Sequence, residues 1–288
     1  MDRLTKRFGS VTAVENLTML VDAGEVFGFL GPNGAGKSTT IRMLLGQIRP
    51  TSGTATIFGN SVEDVLRAHR CLAYVPADVA LWPRLTGIEI LELLAAIGPN
   101  VDFSYRDELV ERFDLDIHKP ARTYSTGNRQ KVALIAAFAS RAPLLVFDEP
   151  ASGMDPLKEK VFRECVAEAR DRGQTVFLSS HQLDEVEAIC DRVAIMRAGQ
   201  LVEIDSIAEL RRLRRTIVEA TYSGNPPSLV GVDGVAGVED LGGRLRFSVT
   251  GSPAPALRAL AAAEITGLTV HEPTLEEVFL DYYGASPR

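Results

Sequence analysis

One eight-residue stretch constrains this chain more than any other. Gly31-Pro32-Asn33-Gly34-Ala35-Gly36-Lys37-Ser38 fits the pattern G-x-x-x-x-G-K-[ST]. It follows the apolar run Val26-Phe27-Gly28-Phe29-Leu30 and precedes Ile41, Leu44, Leu45 and Ile48, which are apolar at helical spacing. The glycines let backbone amides turn inward towards phosphate oxygens, and the start of the next helix adds the positive end of its dipole. Lys37 then reaches the β- and γ-phosphates and Ser38 ligates Mg²⁺. The candidate phosphate-binding set is Gly31, Asn33, Gly34, Ala35, Gly36, Lys37, Ser38 and Thr39. Such a strand, loop and helix imply a nucleoside triphosphate such as ATP.

A phosphate site of this kind also needs an acid for the metal and a group that orients water. Asp148-Glu149 closes the apolar strand Leu144 to Phe147, at the sheet edge where ligands of α/β folds sit. Asp148 suits the metal, and Glu149 suits a general base or water-orienting group. Taken alone, the pair could equally cap the next helix. Ser179-Ser180-His181 ends a second apolar strand, Thr175 to Leu178, and a single histidine there can be a plain packed residue. Helical stripes recur at Ile90, Leu93, Leu94, Ile97, at Val132, Ile135, Ala136, Ala139, and at Phe162, Cys165, Val166, Ala169. Strands uninterrupted by polar residues are covered on both faces, so an α/β domain with a mainly parallel sheet is expected. A closing hairpin is expected at Val193 to Ile204.

The 288 residues suffice for two domains. From Asp205 onwards lysine disappears while Gly, Ala and Pro accumulate, which places the boundary there: residues 1–204, then 205–288. The second part reads as a small α+β domain. Its strands are expected at Thr216 to Tyr222, Arg244 to Val249 and Leu268 to His271, and helices from Ser206, over Ala256 to Ala263 and from the capping box Thr274-Leu275-Glu276-Glu277. A net charge of −7 argues against nucleic acid as the main partner. Cys71, Cys165 and Cys190 lack any metal-binding or disulfide spacing and read as buried thiols of a reducing compartment. The longest apolar run, Val132 to Ala139, falls far short of the ~20 residues of a membrane helix, and Met1-Asp2-Arg3-Leu4 lacks a signal-peptide core, so no membrane entry is expected.

With these residues in this order, the chain resembles the ATP-binding cassette (ABC) ATPases, the nucleotide-hydrolysing subunits of ABC transporters, over about residues 4–204. Leu4-Thr5-Lys6-Arg7-Phe8-Gly9 is similar to the family's opening segment, which implies that Phe8 stacks on adenine; by itself Phe8 could be core. Tyr124-Ser125-Thr126-Gly127-Asn128-Arg129-Gln130 stands where the family carries its signature Leu-Ser-Gly-Gly-Gln. There Ser125 and Gly127 open a helix whose N-terminus grips the γ-phosphate of ATP bound by a partner cassette. The resemblance further implies that Asp155 communicates across that interface and that His181 contacts the γ-phosphate. The segment of about 85–140 corresponds to the family's helical subdomain, opened by the capping box Thr86-Gly87-Ile88-Glu89.

Three departures bear on these implications. Thr126 and Asn128 replace the signature's Gly and Gln, which touches the strength of the phosphate grip. Ala77 in Tyr74-Val75-Pro76-Ala77-Asp78 replaces a Gln or Glu that contacts Mg²⁺ or the attacking water, so Asp78 or a water is expected to take over the metal contact. Only three residues precede Leu4, so a short first edge strand or a late start codon is expected.

The ending His271 to Leu280 resembles ABC exporters of the drug-resistance and antibiotic type, whose ATPase subunits carry a small C-terminal accessory domain. The resemblance implies an ATP- and Mg²⁺-dependent motor at the cytoplasmic side of the plasma membrane. It would work as a homodimer and be held peripherally by a separate transmembrane permease. The alternatives are a non-transport cassette protein or a weakly hydrolysing regulatory subunit. One phosphate loop rather than two stands against the first, and Glu149 with His181 against the second.

Overall fold

The computed structural model describes residues 1–98, 100–151, 154–212 and 216–271. It divides into two compact units, Met1–Ile207 and Ala208–Arg288. The first runs β1 (Asp2–Phe8), β2 (Val11–Leu17), β3 (Val26–Leu30), α1 (Lys37–Leu44), β4 (Ser52–Thr54), β5 (Thr56–Ile57), β6 (Asn60–Ser61), α2 (Val65–His69) and β7 (Leu72–Val75). It continues through α3 (Gly87–Ile97), α4 (Phe103–Arg112), α5 (Thr126–Ala139), β8 (Leu144–Asp148), α6 (Pro156–Asp171), β9 (Thr175–Ser180), α7 (Leu183–Ile189), β10 (Arg192–Arg197) and β11 (Gln200–Ser206). After α8 (Ile207–Arg212) come β12 (Thr216–Ser223), β13 (Val235–Asp240), β14 (Arg244–Val249), α9 (Ala254–Leu260) and β15 (Glu264–His271).

The main sheet has the order β11-β10-β3-β9-β8-β7; all neighbours are parallel except the hairpin β10–β11. Every residue of β3 and β9 is buried, as unbroken apolar runs covered on both faces require. One face carries Phe27, Phe29, Val146 and Phe177 and packs with Ile41 and Met43 of α1 and with Leu4, Val14 and Leu17 of the antiparallel sheet β2-β1-β4. On the other face Phe147 meets Phe138 of α5 at 5.2 Å and Phe162 of α6 at 5.5 Å between ring centres. Each ring is fully buried, so truncation to alanine at any of the three costs about 3–5 kcal/mol. Gly28 lets α7 lie against β3: a Cβ there would stand 2.6 Å from Val186 Cγ1.

The order of the central strands decides where the chemistry sits. β9 lies between β3 and β8, with Leu30 opposite Ser180 and Asp148 opposite Ser179. The phosphate loop after β3, His181 after β9 and the acidic pair at the end of β8 therefore leave one edge of the sheet side by side.

Several expectations need correction. β1 is not a short edge strand: it is seven residues long and is paired with both β2 and β4. α1 stops at Leu44 because Gly46, at φ +64°, turns the chain out of the helix, so Ile48 lies beyond it. On α3 the buried residues are Gly87, Ile90 and Leu91, while Leu93 is 37% and Ile97 73% exposed. The buried face is rotated because Gly87 presses against the segment before α5, where a Cβ would meet the Tyr124 hydroxyl. Cys71 is only half buried, whereas burial pushes the Cys165 thiol up to about 12 and that of Cys190 well above its usual range.

The second unit is an antiparallel sheet of order β13-β14-β12-β15 whose core joins Val218, Ala220, Leu245, Phe247 and Val249 to Ala256 and Leu260 of α9. β13 is an addition to the expected strands, and β15 begins at Glu264 rather than Leu268. The helix expected from Thr274 lies outside the described residues.

Candidate nucleotide and hydrolysis site

The loop after β3 is shaped by close backbone approach. A Cβ on Gly31 would stand 2.4 Å from the Met196 carbonyl, and one on Gly36, at φ +103°, 2.5 Å from the Ala13 carbonyl. No side chain caps α1 and its first turn holds no acid, which leaves the amides of a helix start to an anion. A cavity of about 160 Å³ opens here, lined by Ala13, Glu149 and the loop from Asn33 to Thr39. Lys37 is 5% exposed; its Nζ donates to the Gly31 carbonyl at 2.6 Å and to that of Pro32 at 3.3 Å.

Glu149 lines this cavity, and Asp148 is bonded to Ser38 of its wall. Asp148 Oδ1 accepts from Ser179 Oγ at 2.5 Å and from Ser38 Oγ at 3.4 Å. Glu149 takes φ +49°, an uncommon conformation for a residue with a Cβ, and its amide donates to the Ser179 carbonyl at 3.0 Å. That turn puts Glu149 Oε1 3.4 Å from Lys37 Nζ and Oε2 3.2 Å from His181 Nδ1. A carboxylate thus stands between a buried cation and an imidazole. On β7, burial and the negative field of Asp148 push Tyr74 up to about 12.

Ser38 Oγ and Asp148 Oδ1 are hard oxygen donors, and no cluster of three or more His, Cys, Asp or Glu that could hold a metal forms among the described residues. A pair of protein oxygens completed by phosphates and water fits Mg²⁺, which keeps much of its hydration.

Other expected site residues stand apart. Ser125 caps α5, its Oγ accepting from the Asn128 amide at 3.2 Å, and it is exposed; no bond among the described residues joins Ser125 or Gly127 to the loop. Asp155 caps α6 through the amides of Leu157 at 3.1 Å and Lys158 at 3.0 Å, while Ser152 and Gly153 lie outside the described residues. Phe8 is 51% exposed with Lys6 Nζ 4.9 Å from its ring centre, so core packing does not explain it. Asp78 is exposed, and no hydrogen bond or ion pair among the described residues joins it to Ser38, Asp148 or Glu149. Ser179, which holds both Asp148 and the Glu149 amide, was not singled out; its only sequence signal is its place one strand over from Asp148.

Known proteins share the sequence and the fold of this chain. The family model described as ABC transporter matches residues 14–152. The linearmycin resistance ATP-binding protein LnrL of Bacillus subtilis (strain 168) is 31% identical over 100% of this chain and 98% of its own length. The bacitracin transport ATP-binding protein BcrA of Enterococcus faecalis is 34% identical over 77% of this chain and 73% of its own. A solved ATP binding subunit of an ABC transporter superposes with a TM-score of 0.67 at 32% identity, covering 73% of this chain and 90% of that one. A dimeric ATP-binding cassette with ADP and Pi shares the fold, with a TM-score of 0.64 at 22% identity over 72% of this chain and 97% of that one. The chain therefore belongs to the ABC family, among the ATP-binding proteins of ABC transporters.

Proposed function

We propose that this chain hydrolyses ATP to drive export, of the drug or antibiotic type, through a separate transmembrane permease at the cytoplasmic side of the plasma membrane. In this reading residues 1–204 are the cassette, with its helical subdomain at about 85–140, and residues 205–288 are an accessory domain. The observation that carries the hydrolytic part is the placement of Glu149 between Lys37 and His181, beside Ser38 and Asp148. Likeness to a linearmycin resistance protein along the whole chain supports the export part. No helix among the described residues is long and apolar enough to cross a membrane, so a span must come from elsewhere in the assembly.

ATP is bound by Lys37, Ser38 and the amides of the loop from Gly31 to Thr39, with Phe8 on the adenine. Ser38 and Asp148 would hold Mg²⁺, which would offset the phosphate charge. Glu149 accepts the proton of the attacking water and His181 orients the γ-phosphate. Ser125 and Gly127 of a second copy close the site, and Asp155 lies at that interface. Asp78 would act on the metal through water. Glu149→Gln keeps ATP binding and lowers turnover about 10²- to 10⁴-fold, the usual worth of a general base, with a dimer trapped by ATP. Wild-type turnover in that variant refutes the assignment.

A second reading, a weakly hydrolysing regulatory subunit, is favoured by Ala77 and by Thr126 and Asn128 in the signature. Mg²⁺-dependent ATPase turnover of the purified chain separates the two.

A further inference from the structure

His181 reaches Glu149 from a turn only two residues long, between the end of β9 and the start of α7. Ser180 closes that turn. Its Oγ accepts the Gln182 amide at 2.9 Å and donates to Glu185 Oε2 at 2.5 Å, while its carbonyl accepts the amide of Gly31, the first residue of the phosphate loop, at 3.3 Å. Ser180 is 1% exposed and Glu185 5% exposed, in the first turn of α7. The second carboxyl oxygen, Glu185 Oε1, is buried without a hydrogen-bond partner among the described residues.

Burying a carboxyl with one bond is costly, and its surroundings make it more so. Glu159 on α6 and Glu149 after β8 repel its charge; Arg163, also on α6, attracts it but is already bonded to Glu159 Oε1 at 2.7 Å. Glu185 in turn helps push up the thiol of Cys190, the residue that follows α7. Burial first, then these acids, push the carboxyl up to about 7 against the pull of the Ser180 hydroxyl. A hydrophobic residue would fill the place at lower cost, so the carboxyl must be there for what it holds.

We propose that Glu185 is a positioning residue of the hydrolytic site: by holding the Ser180 hydroxyl it sets the turn that carries the His181 imidazole to Glu149. This rests on the hydrolytic reading above. Apart from its charge repulsion with Glu149, the contacts that link Glu185 to the site run through Ser180 and His181; it makes no hydrogen bond to Glu149 and does not line the phosphate cavity. Glutamine keeps an oxygen for the Ser180 hydroxyl and mimics the protonated carboxyl; alanine does not.

The test is a mutant cycle on the purified full chain with Mg²⁺-ATP. Glu185→Ala and Ser180→Ala each lower kcat about tenfold with KM for ATP within about twofold, and Glu185→Gln keeps more than about half of kcat. In a His181→Ala background neither alanine substitution lowers kcat further, because the path ends at the imidazole. Equal losses with and without His181, or no loss in either variant, overturn the inference. Ser180→Ala decides the matter if Glu185→Ala does not fold. The nucleotide-free His181 ring resonance, read by NMR, is the readout that does not depend on turnover: it shifts in Ser180→Ala and stays in Glu185→Gln. An unmoved resonance in Ser180→Ala overturns the inference even if the chain has no ATPase activity, whereas a silent wild type with a shifted resonance refutes only the hydrolytic reading.

Discussion

α1 and α5 both begin at loops that carry Ser and Gly, yet the two starts are built differently. α1 has no side-chain cap, and around its first turn the same chain gathers Lys37, Asp148, Glu149 and His181. α5 is closed by its own Ser125, and Arg129 near its start donates to the Thr126 hydroxyl at 3.1 Å and the Tyr124 carbonyl at 3.4 Å. The first start is a site with its chemistry in place. The second is a donor surface facing solvent, with no hydrolytic group bonded to it among the described residues. What separates them is the sheet: register across β3, β9 and β8 collects groups around α1, whereas α5 follows the helical segment rather than a strand of that sheet. In the proposed function the second start meets the phosphate that a second copy of the chain carries on its own α1.

Breaking each half separately sharpens this contrast. Lys37→Ala removes the buried cation and lowers ATP affinity about 10²-fold or more, measured by nucleotide titration, since truncating a buried charge partner costs 2–5 kcal/mol. Gly127→Asp sets a carboxylate against the phosphate at the other start: turnover falls about 10²-fold while ATP affinity moves less than about threefold. Asp78→Ala changes turnover and Mg²⁺ dependence less than about twofold, as for an exposed residue without a bond to the site. A large effect there would restore Asp78 as the substitute for the residue missing at Ala77.

The parts of this fold readable in the sequence are those where one physical demand dominates. Unbroken apolar runs gave β3, β8 and β9, and the stripe Phe162, Cys165, Val166 and Ala169 is the buried face of α6. The phosphate loop was legible because its glycines, lysine and serine answer to one ligand. Where backbone contact replaces side-chain burial, the pattern misled: Gly87 contributes no apolar signal, yet it sets which face of α3 is inward. β13 escaped because Gly237 and a register shift between Ala236 and Glu239 break its alternation. β9 runs on through Ser179 and Ser180, beyond the apolar run Thr175 to Leu178, and their partners Asp148 and Glu185 come from pairing and packing that no local spacing records.

The central claim is that each chain holds one complete half-site and one donor surface, and that turnover requires the two from different copies. Mixing purified Lys37→Ala with Gly127→Asp tests it most directly, because only a mixed dimer joins an intact α1 start to an intact α5 start. ATPase turnover of an equal mixture should rise from near zero for either variant alone to about a quarter of wild type, half the dimers being mixed with one complete site each. A mixture no more active than its two components would contradict the account.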